Sequence, residues 1–262
     1  MLVNFCITGR LGNAIFRYMA SVIVCMCYNG THTINHKQHT DCNDEMFIDI
    51  IRPLINKNKI LMLNKNVTGI NMTGYYQHDK IYKLFKQQLF NFIKENPTHY
   101  VLTDGVNAGD NNLEKFYMKD ILITPTSFNK RYKNVLHIRL EDFVKHNLYL
   151  KVERICTLLD KNILTDNICI VCKKPTTQFE NQYIHQLIQH AQKKNLNVFL
   201  EHNDTITDFY IMKEAEVLIC SKSTLSWCAA FFSDKIQKCY LPDYTETPNS
   251  TCKAPIDNTE LY

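Results

Sequence analysis

The sequence predicts an α/β protein built on parallel sheets, and two observations carry that expectation. From residue 133 onward, short apolar runs alternate regularly with longer amphipathic stretches, the pattern of strands joined by crossover helices. Near each end of the chain an apolar run passes into an amphipathic helix through a turn of small or cationic residues, Thr8-Gly9-Arg10-Leu11-Gly12-Asn13 and Ser221-Lys222-Ser223-Thr224. Such turns leave backbone N–H groups unpaired at the positive end of a helix.

In chain order, Met1 to Ile7 reads as a buried strand, followed by an apolar helix from Ala14 to about Tyr28. A middle stretch rich in Asn and Lys yields no element until a helix over 80–95, and residues 107–112 form a polar turn. Strands are then predicted near 135–139, 168–172, 197–201, 217–220 and 237–241. Between them lie helices near 150–161, 179–194, 206–215 and from Ser223 onward. The Pro- and Thr-rich tail after Leu241 reads as loosely ordered.

Three segments carry chemistry. The run Ser221 to Ser233 follows the strand Val217-Leu218-Ile219-Cys220 and sets hydroxyls at a helix N-terminus, where a phosphate is stabilised. Ser and Thr are equally ordinary helix N-caps. The Gly9 to Asn13 turn brings two glycines close to any ligand, yet it lacks the third glycine of the dinucleotide fingerprint. In Asn134 to Asp142, His137 and Arg139 share one strand face. A guanidinium at a strand's C-terminal end suits an anionic ligand, and an ion pair with Glu141 or Asp142 is the alternative.

Together the segments resemble glycosyltransferase family 11, the galactoside 2-alpha-L-fucosyltransferases. The family's G-G-L-G-N-Q-M-F is matched by Gly9-Arg10-Leu11-Gly12-Asn13-Ala14-Ile15-Phe16, and its G-Y-[FW]-Q-S-E-K-Y by Gly74-Tyr75-Tyr76-Gln77-His78-Asp79-Lys80-Ile81. H-x-R-R-G-D is matched by His137-Ile138-Arg139-Leu140-Glu141-Asp142, and D-[LF]-x-x-M by Asp208-Phe209-Tyr210-Ile211-Met212. S-N-S-T-F-S-W-W is matched by Ser221-Lys222-Ser223-Thr224-Leu225-Ser226-Trp227-Cys228. The matches are colinear and span nearly the whole chain. The resemblance implies a GT-B architecture of two Rossmann-like domains facing a cleft, 1–132 on the acceptor side and 133–262 binding the nucleotide sugar. It implies inverting transfer of L-fucose from GDP-fucose to a glycan hydroxyl, α-1,2 to galactose or another hexose.

On that implication Arg139, Asn13 and Asp142 are catalytic. The donor is bound by Gly12, Asn13, His137, Arg139, Glu201, Ser221, Lys222, Ser223, Thr224 and Ser226. Glu201, His202 or Asp204 face the guanine, and Asp142, Glu141 and His78 are the alternatives for a general base. The chain departs from the family at Leu140, where a second arginine is usual, at Glu141, where glycine is usual, and at Lys222, where asparagine is usual. Lys222 is the natural replacement for the missing cation. G-R-L-G-N is similar also to the G-R-F-G-N of protein O-fucosyltransferases, which leaves the acceptor class open. No D-x-D motif accompanies the segments, so no catalytic metal is expected.

Composition fits a chain with room for two modest domains. The net charge of +4 is slight and its cations are scattered, which argues against nucleic-acid binding. No leader peptide or membrane-spanning run is read from the sequence, so a cytoplasmic location is expected and the N-x-[ST] triplets at Asn66, Asn71, Asn203 and Asn249 are expected to be unglycosylated. The excess of Asn, Lys and Ile suggests an AT-rich coding sequence of bacterial or viral type. The eleven cysteines read as reduced core thiols. Cys169 and Cys172 point to opposite faces of a strand, Cys25 and Cys27 lie about 200° apart on a helix, and only Cys239 and Cys252 remain redox partners in an oxidising compartment. The second functional class is a non-catalytic nucleotide- or glycan-binding protein on the same fold.

Overall fold

The computed structural model describes residues 2–5, 10–28, 31–32, 40–57, 69–72, 74–104, 113–243 and 254–262. The chain separates into two compact units, Met1–Ile123 and Thr124–Tyr262. Both contain a sheet whose strand pairs are all parallel.

In the first unit, β1 (Leu2–Phe5), β2 (Thr31–His32), β3 (Thr40–Cys42) and β4 (Gly69–Met72) form a sheet of order β2-β1-β4-β3. Helix α1 (Leu11–Tyr28) follows β1 and packs on β1, β2, β4 and β5 (Tyr100–Asp104). Nine of its apolar side chains, from Ile15 to Cys27, are completely buried, because apolar residues occupy every side of the helix rather than one stripe. No helix among the described residues is long and apolar enough to cross a membrane.

The Asn- and Lys-rich middle holds an element that its composition conceals. Helix α2 (Asp44–Lys57) is capped by Asn43, whose Oδ1 accepts from Met46 N at 2.9 Å, and it buries Phe47, Ile50 and Ile51. The helix expected over 80–95 is divided at Phe85 into α3 (Asp79–Leu84) and α4 (Lys86–Glu95). Phe85 N still donates to Ile81 O and Phe85 O still accepts from Leu89 N, so helical hydrogen bonds run on across the division. Strand β5 pairs antiparallel with β6 (Leu113–Tyr117) ahead of the short α5 (Met118–Leu122). The polar turn expected at 107–112 lies outside the described residues.

The second unit contains β7 (Asn134–Ile138), α6 (Glu141–Lys145), α7 (Val152–Asp160), β8 (Asn167–Cys172), α8 (Gln178–Lys193) and β9 (Asn197–Glu201). It continues through α9 (Thr205–Lys213), β10 (Val217–Ile219), α10 (Thr224–Phe232), β11 (Lys238–Leu241) and β12 (Thr259–Leu261). Its sheet order is β12-β11-β10-β7-β8-β9. Counted from β7 as the first strand, this is 3-2-1-4-5-6, the order of dinucleotide-binding α/β sheets. The central strands are apolar on both faces, and Leu136, Ile138, Ile168, Ile170 and Ile219 join Ile155 and Leu187 in one core.

Two expectations change here. Residues 124–132, assigned from sequence to the first domain, belong with the second unit: Lys130 and Tyr132 bond to Glu201, and Phe128 packs edge-on against Tyr210 at 5.4 Å. The tail is not loose throughout. Strand β12 pairs with β11, and the Tyr262 hydroxyl donates to Cys220 O at 2.8 Å.

Candidate functional site

Strands β7 and β10 are adjacent, and the chain leaves them toward opposite edges of the sheet. At such a switch point the loops diverge and open a crevice beyond the strands' C-terminal ends. The residues that end β7 and follow it, His137 to Asp142, and those that follow β10, Ser221 to Ser226, are the ones singled out from sequence.

His137 lies inside fully buried β7, and its Nδ1 is 2.8 Å from Ser221 Oγ at the end of β10. Burial, helped by the charge of Arg139, pushes the imidazole down to about 3. It is therefore neutral at ordinary pH and holds the two strand ends together rather than carrying a proton.

Arg139 is the first residue after β7. Its Nη2 donates to Asp142 Oδ2 at 2.9 Å, its Nε points at Oδ1 from 3.4 Å, and its guanidinium carbon sits 4.3 Å from the centroid of the Phe143 ring. A guanidinium has five N–H donors, and the three not directed at Asp142 make no hydrogen bond among the described residues. Asp142 thus orients Arg139 and is itself occupied. Glu141 has φ 27°, a left-handed conformation that favours glycine, and its Oε1 lies 3.8 Å from Lys173 Nζ. Leu140 is buried in the core with Ile138 and Leu150, so position 140 presents a packed side chain where an arginine would present charge.

In the loop after β10 the hydroxyls take different roles. Ser223 caps α10, its Oγ accepting from Leu225 N at 3.3 Å. Ser226 is fully buried and donates to Ser223 O at 3.0 Å; as a helical residue three positions past the cap it points inward, which removes it from the ligand-facing set expected from sequence. Thr224 and Lys222 are partly exposed. The Lys222 ammonium forms no ion pair among the described residues, leaving one uncommitted cation beside the helix N-terminus.

At the far edge, Glu201 accepts from Lys130 Nζ at 2.8 Å, Tyr132 Oη at 2.5 Å and Asn203 Nδ2 at 3.1 Å. Burial raises its carboxyl, but these three donors outweigh that and hold it below the usual range. His202 Nδ1 lies 2.8 Å from Cys172 O, and Asp204 caps α9 through Thr207 N. Asp208 carries no sequence signal beyond its place in Asp208-Phe209-Tyr210-Ile211-Met212. Burial above all, with the charges of Asp204 and Glu201, pushes its carboxyl up to about 7, although Asn203 donates to it at 3.1 Å. The Lys130 and Tyr132 contacts to Glu201 have no local signal, since about seventy residues separate the partners.

Gly12 and Asn13 lie in the first turn of α1, in the first unit, because the helix begins at Leu11 rather than Ala14; Gly9 lies outside the described residues. His78, also in the first unit, is 3.5 Å from Asp44 Oδ1. The described cysteines are free thiols, all buried but Cys156, with Cys169 and Cys172 on β8 and Cys172 pushed up to about 12 by burial. Cys220 and Cys239 unexpectedly approach to 3.7 Å; Cys252 lies outside the described residues. No protein-family model matches the chain, and no curated protein matches it.

Proposed function

We propose that the second unit binds a nucleoside-diphosphate sugar at the switch point, and that the chain is an inverting fucosyltransferase moving L-fucose from GDP-fucose to a hydroxyl of a glycan, galactose or another hexose. One observation carries the donor half. In a sheet of order 3-2-1-4-5-6, the two strands flanking the switch point end on Arg139, with three N–H donors unengaged among the described residues, and on Ser223-Thr224 at the N-terminus of α10, with Lys222 alongside. The fucosyl specificity and the roles of Gly12 and Asn13 are supported by the motif resemblance.

In this reading a diphosphate leaves the anomeric carbon, and negative charge grows on its oxygens. Arg139 donates N–H groups toward that charge while Asp142 keeps the guanidinium plane in place. The dipole of α10 and the Lys222 ammonium stabilise the same charge. His137, neutral, fixes Ser221 and with it the start of the loop. Charge stabilisation by these groups does not call for a metal, so transfer persists in excess EDTA.

Arg139→Ala lowers transfer from GDP-fucose by about a hundred- to a thousandfold, the range for removing one charge-stabilising donor, with an unchanged melting curve. Lys222→Ala weakens GDP binding by about tenfold or less, and more than substitution of the exposed Lys173 does. Unaltered transfer in Arg139→Ala would overturn the proposal. A second reading, a non-catalytic binding protein, is favoured by the existing Arg139–Asp142 pair, which neutralises the guanidinium before any ligand arrives. GDP binding without turnover on any acceptor would select it.

A further inference from the structure

At the opposite end of the second sheet, where β8 and β9 begin, an open groove of about 750 Å³ is lined by Asn167, Gln192, Asn195, Leu196, Asn197, Val198 and Phe199. It falls within the range of small-molecule sites, about 300–1,000 Å³. Its position follows from local structure. Asn195, at φ 60°, turns the chain from α8 back into β9, and the register pairs Asn167 with Asn197, placing both on the sheet face that carries Phe199.

The lining contains no ionisable side chain. A phosphate or carboxylate would call for a cation, and an ammonium for a carboxylate; the neighbouring Lys194 is bound to Asp160 at 3.0 Å and lies outside the lining. What the groove offers is four carboxamides, each both donor and acceptor. Those of Gln192, Asn195 and Asn197 are exposed and make no hydrogen bond with any described residue. Asn167 Oδ1 is buried with no hydrogen-bond partner among the described residues, an acceptor that gains from any incoming O–H. Phe199 is 46% exposed, with its ring 5.4 Å from Tyr132 on one side.

We infer that this groove binds a neutral saccharide. Sugar hydroxyls are donors and acceptors at once, as carboxamides are, and the C–H face of a pyranose ring stacks on an aromatic ring. An uncharged, amide-lined groove with one exposed aromatic matches both properties. The site lies at the other end of the strands from Arg139 and is independent of the donor reading.

The test uses the full chain, labelled with ¹⁵N, and follows the side-chain amide resonances of Gln192, Asn195 and Asn197. The probes are lactose, cellobiose and methyl α-mannoside, with guanosine as a neutral control that carries a ribofuranose but no pyranose ring. At least one saccharide shifts these resonances with a millimolar dissociation constant, and guanosine does not. Phe199→Ala weakens that binding by about tenfold or more, Phe199→Tyr preserves it, and Arg139→Ala leaves it unchanged. GDP, titrated separately, leaves the three amides in place, so failure at the switch point and failure at the groove are distinguishable. Absence of any saccharide response, an equal response to guanosine, or binding indifferent to Phe199→Ala in a folded variant overturns the inference. So does Phe199-dependent self-association without a sugar response.

Discussion

The loop after β4 and the loop after β10 are made of similar materials and use them differently. Around Gly74 in the first unit, charged and hydroxyl groups fix one backbone course. Arg17 is buried and its Nε donates to Gly74 O at 3.0 Å, while Asp44 accepts from Tyr75 N at 2.9 Å and Tyr76 N at 2.7 Å. Tyr76, at φ 53°, donates through its hydroxyl to Cys42 O and receives Gly74 N at 2.7 Å. After β10 the cap and the internal hydroxyls are satisfied in the same way, yet Lys222 and three donors of Arg139 are uncommitted among the described residues. Charge held by its own backbone makes a scaffold; charge with donors to spare, at a switch point, makes a site. Under the proposed function, substitution at Arg139 therefore has its largest effect on transfer and little on folding, and the remaining predictions separate the two units by stability.

Gly74→Ala probes the committed loop. A Cβ there runs into the Asp44 carboxylate and comes within 3.0 Å of Asp44 N. The carboxylate cannot swing aside without giving up its bonds to Tyr75 N and Tyr76 N, so a loss of about 3 kcal/mol is expected, read as a lower urea midpoint. In an Asp44→Ala background the carboxylate contact is gone and only the 3.0 Å approach to the backbone nitrogen remains, so the further cost of Gly74→Ala falls to about 1 kcal/mol. Additive losses would break the claim that the carboxylate is what excludes a side chain.

Asp208→Asn probes the second unit through pH. Asp208 is raised from 3.8 to about 7 in the folded chain. Between these values the folded state holds the extra proton, so its stability contribution falls as pH rises, by about 1.4 kcal/mol per unit. His137 is lowered from 6.5 to about 3. Between those values the unfolded state holds the extra proton, so stability rises with pH at a similar slope. The two oppose each other from about pH 4 to 6.5, and the pair makes a nearly flat contribution there. Asp208→Asn removes one arm: relative to the parent it gains little at pH 4, gains progressively to pH 7, and loses stability on acidification more steeply. Urea midpoints across the window check this, and parallel curves would show that Asp208 ionises normally.

The second unit was legible in the sequence because its central strands are buried on both faces and end abruptly in polar residues: Asn134 to Ile138 and Asn167 to Cys172 are short apolar runs bounded by charge or Asn. The β5–β6 hairpin was not, since Leu113 to Tyr117 is exposed at four of five positions and shows no inward alternation. Helix α2 was hidden by the polar residues around its three buried anchors. At the site, His137, Arg139, Lys222 and Ser223 were legible as strand-end residues, and the Arg139–Asp142 pair was one of two foreseen partners. The Glu201 network and Tyr262 were not, because contacts formed across the sheet leave no mark on local periodicity.

Glu141→Gly gives the smallest effect and its sign is the test. At φ 27° a side chain costs about 1–2 kcal/mol, which glycine avoids. Glycine in turn loses more chain entropy on folding, about 0.5–1 kcal/mol, and the 3.8 Å contact with Lys173, partly exposed on both sides, is worth little. The balance is a gain of about 0.5 kcal/mol. Glu141→Ala keeps the strained backbone and removes the carboxylate, so the difference between the glycine and alanine variants isolates the backbone term. A glycine variant more stable than the alanine one identifies this turn as a glycine position now filled by glutamate, in keeping with the H-x-R-R-G-D pattern. An alanine variant of equal or greater stability shows that the left-handed turn is relaxed by its surroundings, and the resemblance at this position then rests on sequence alone.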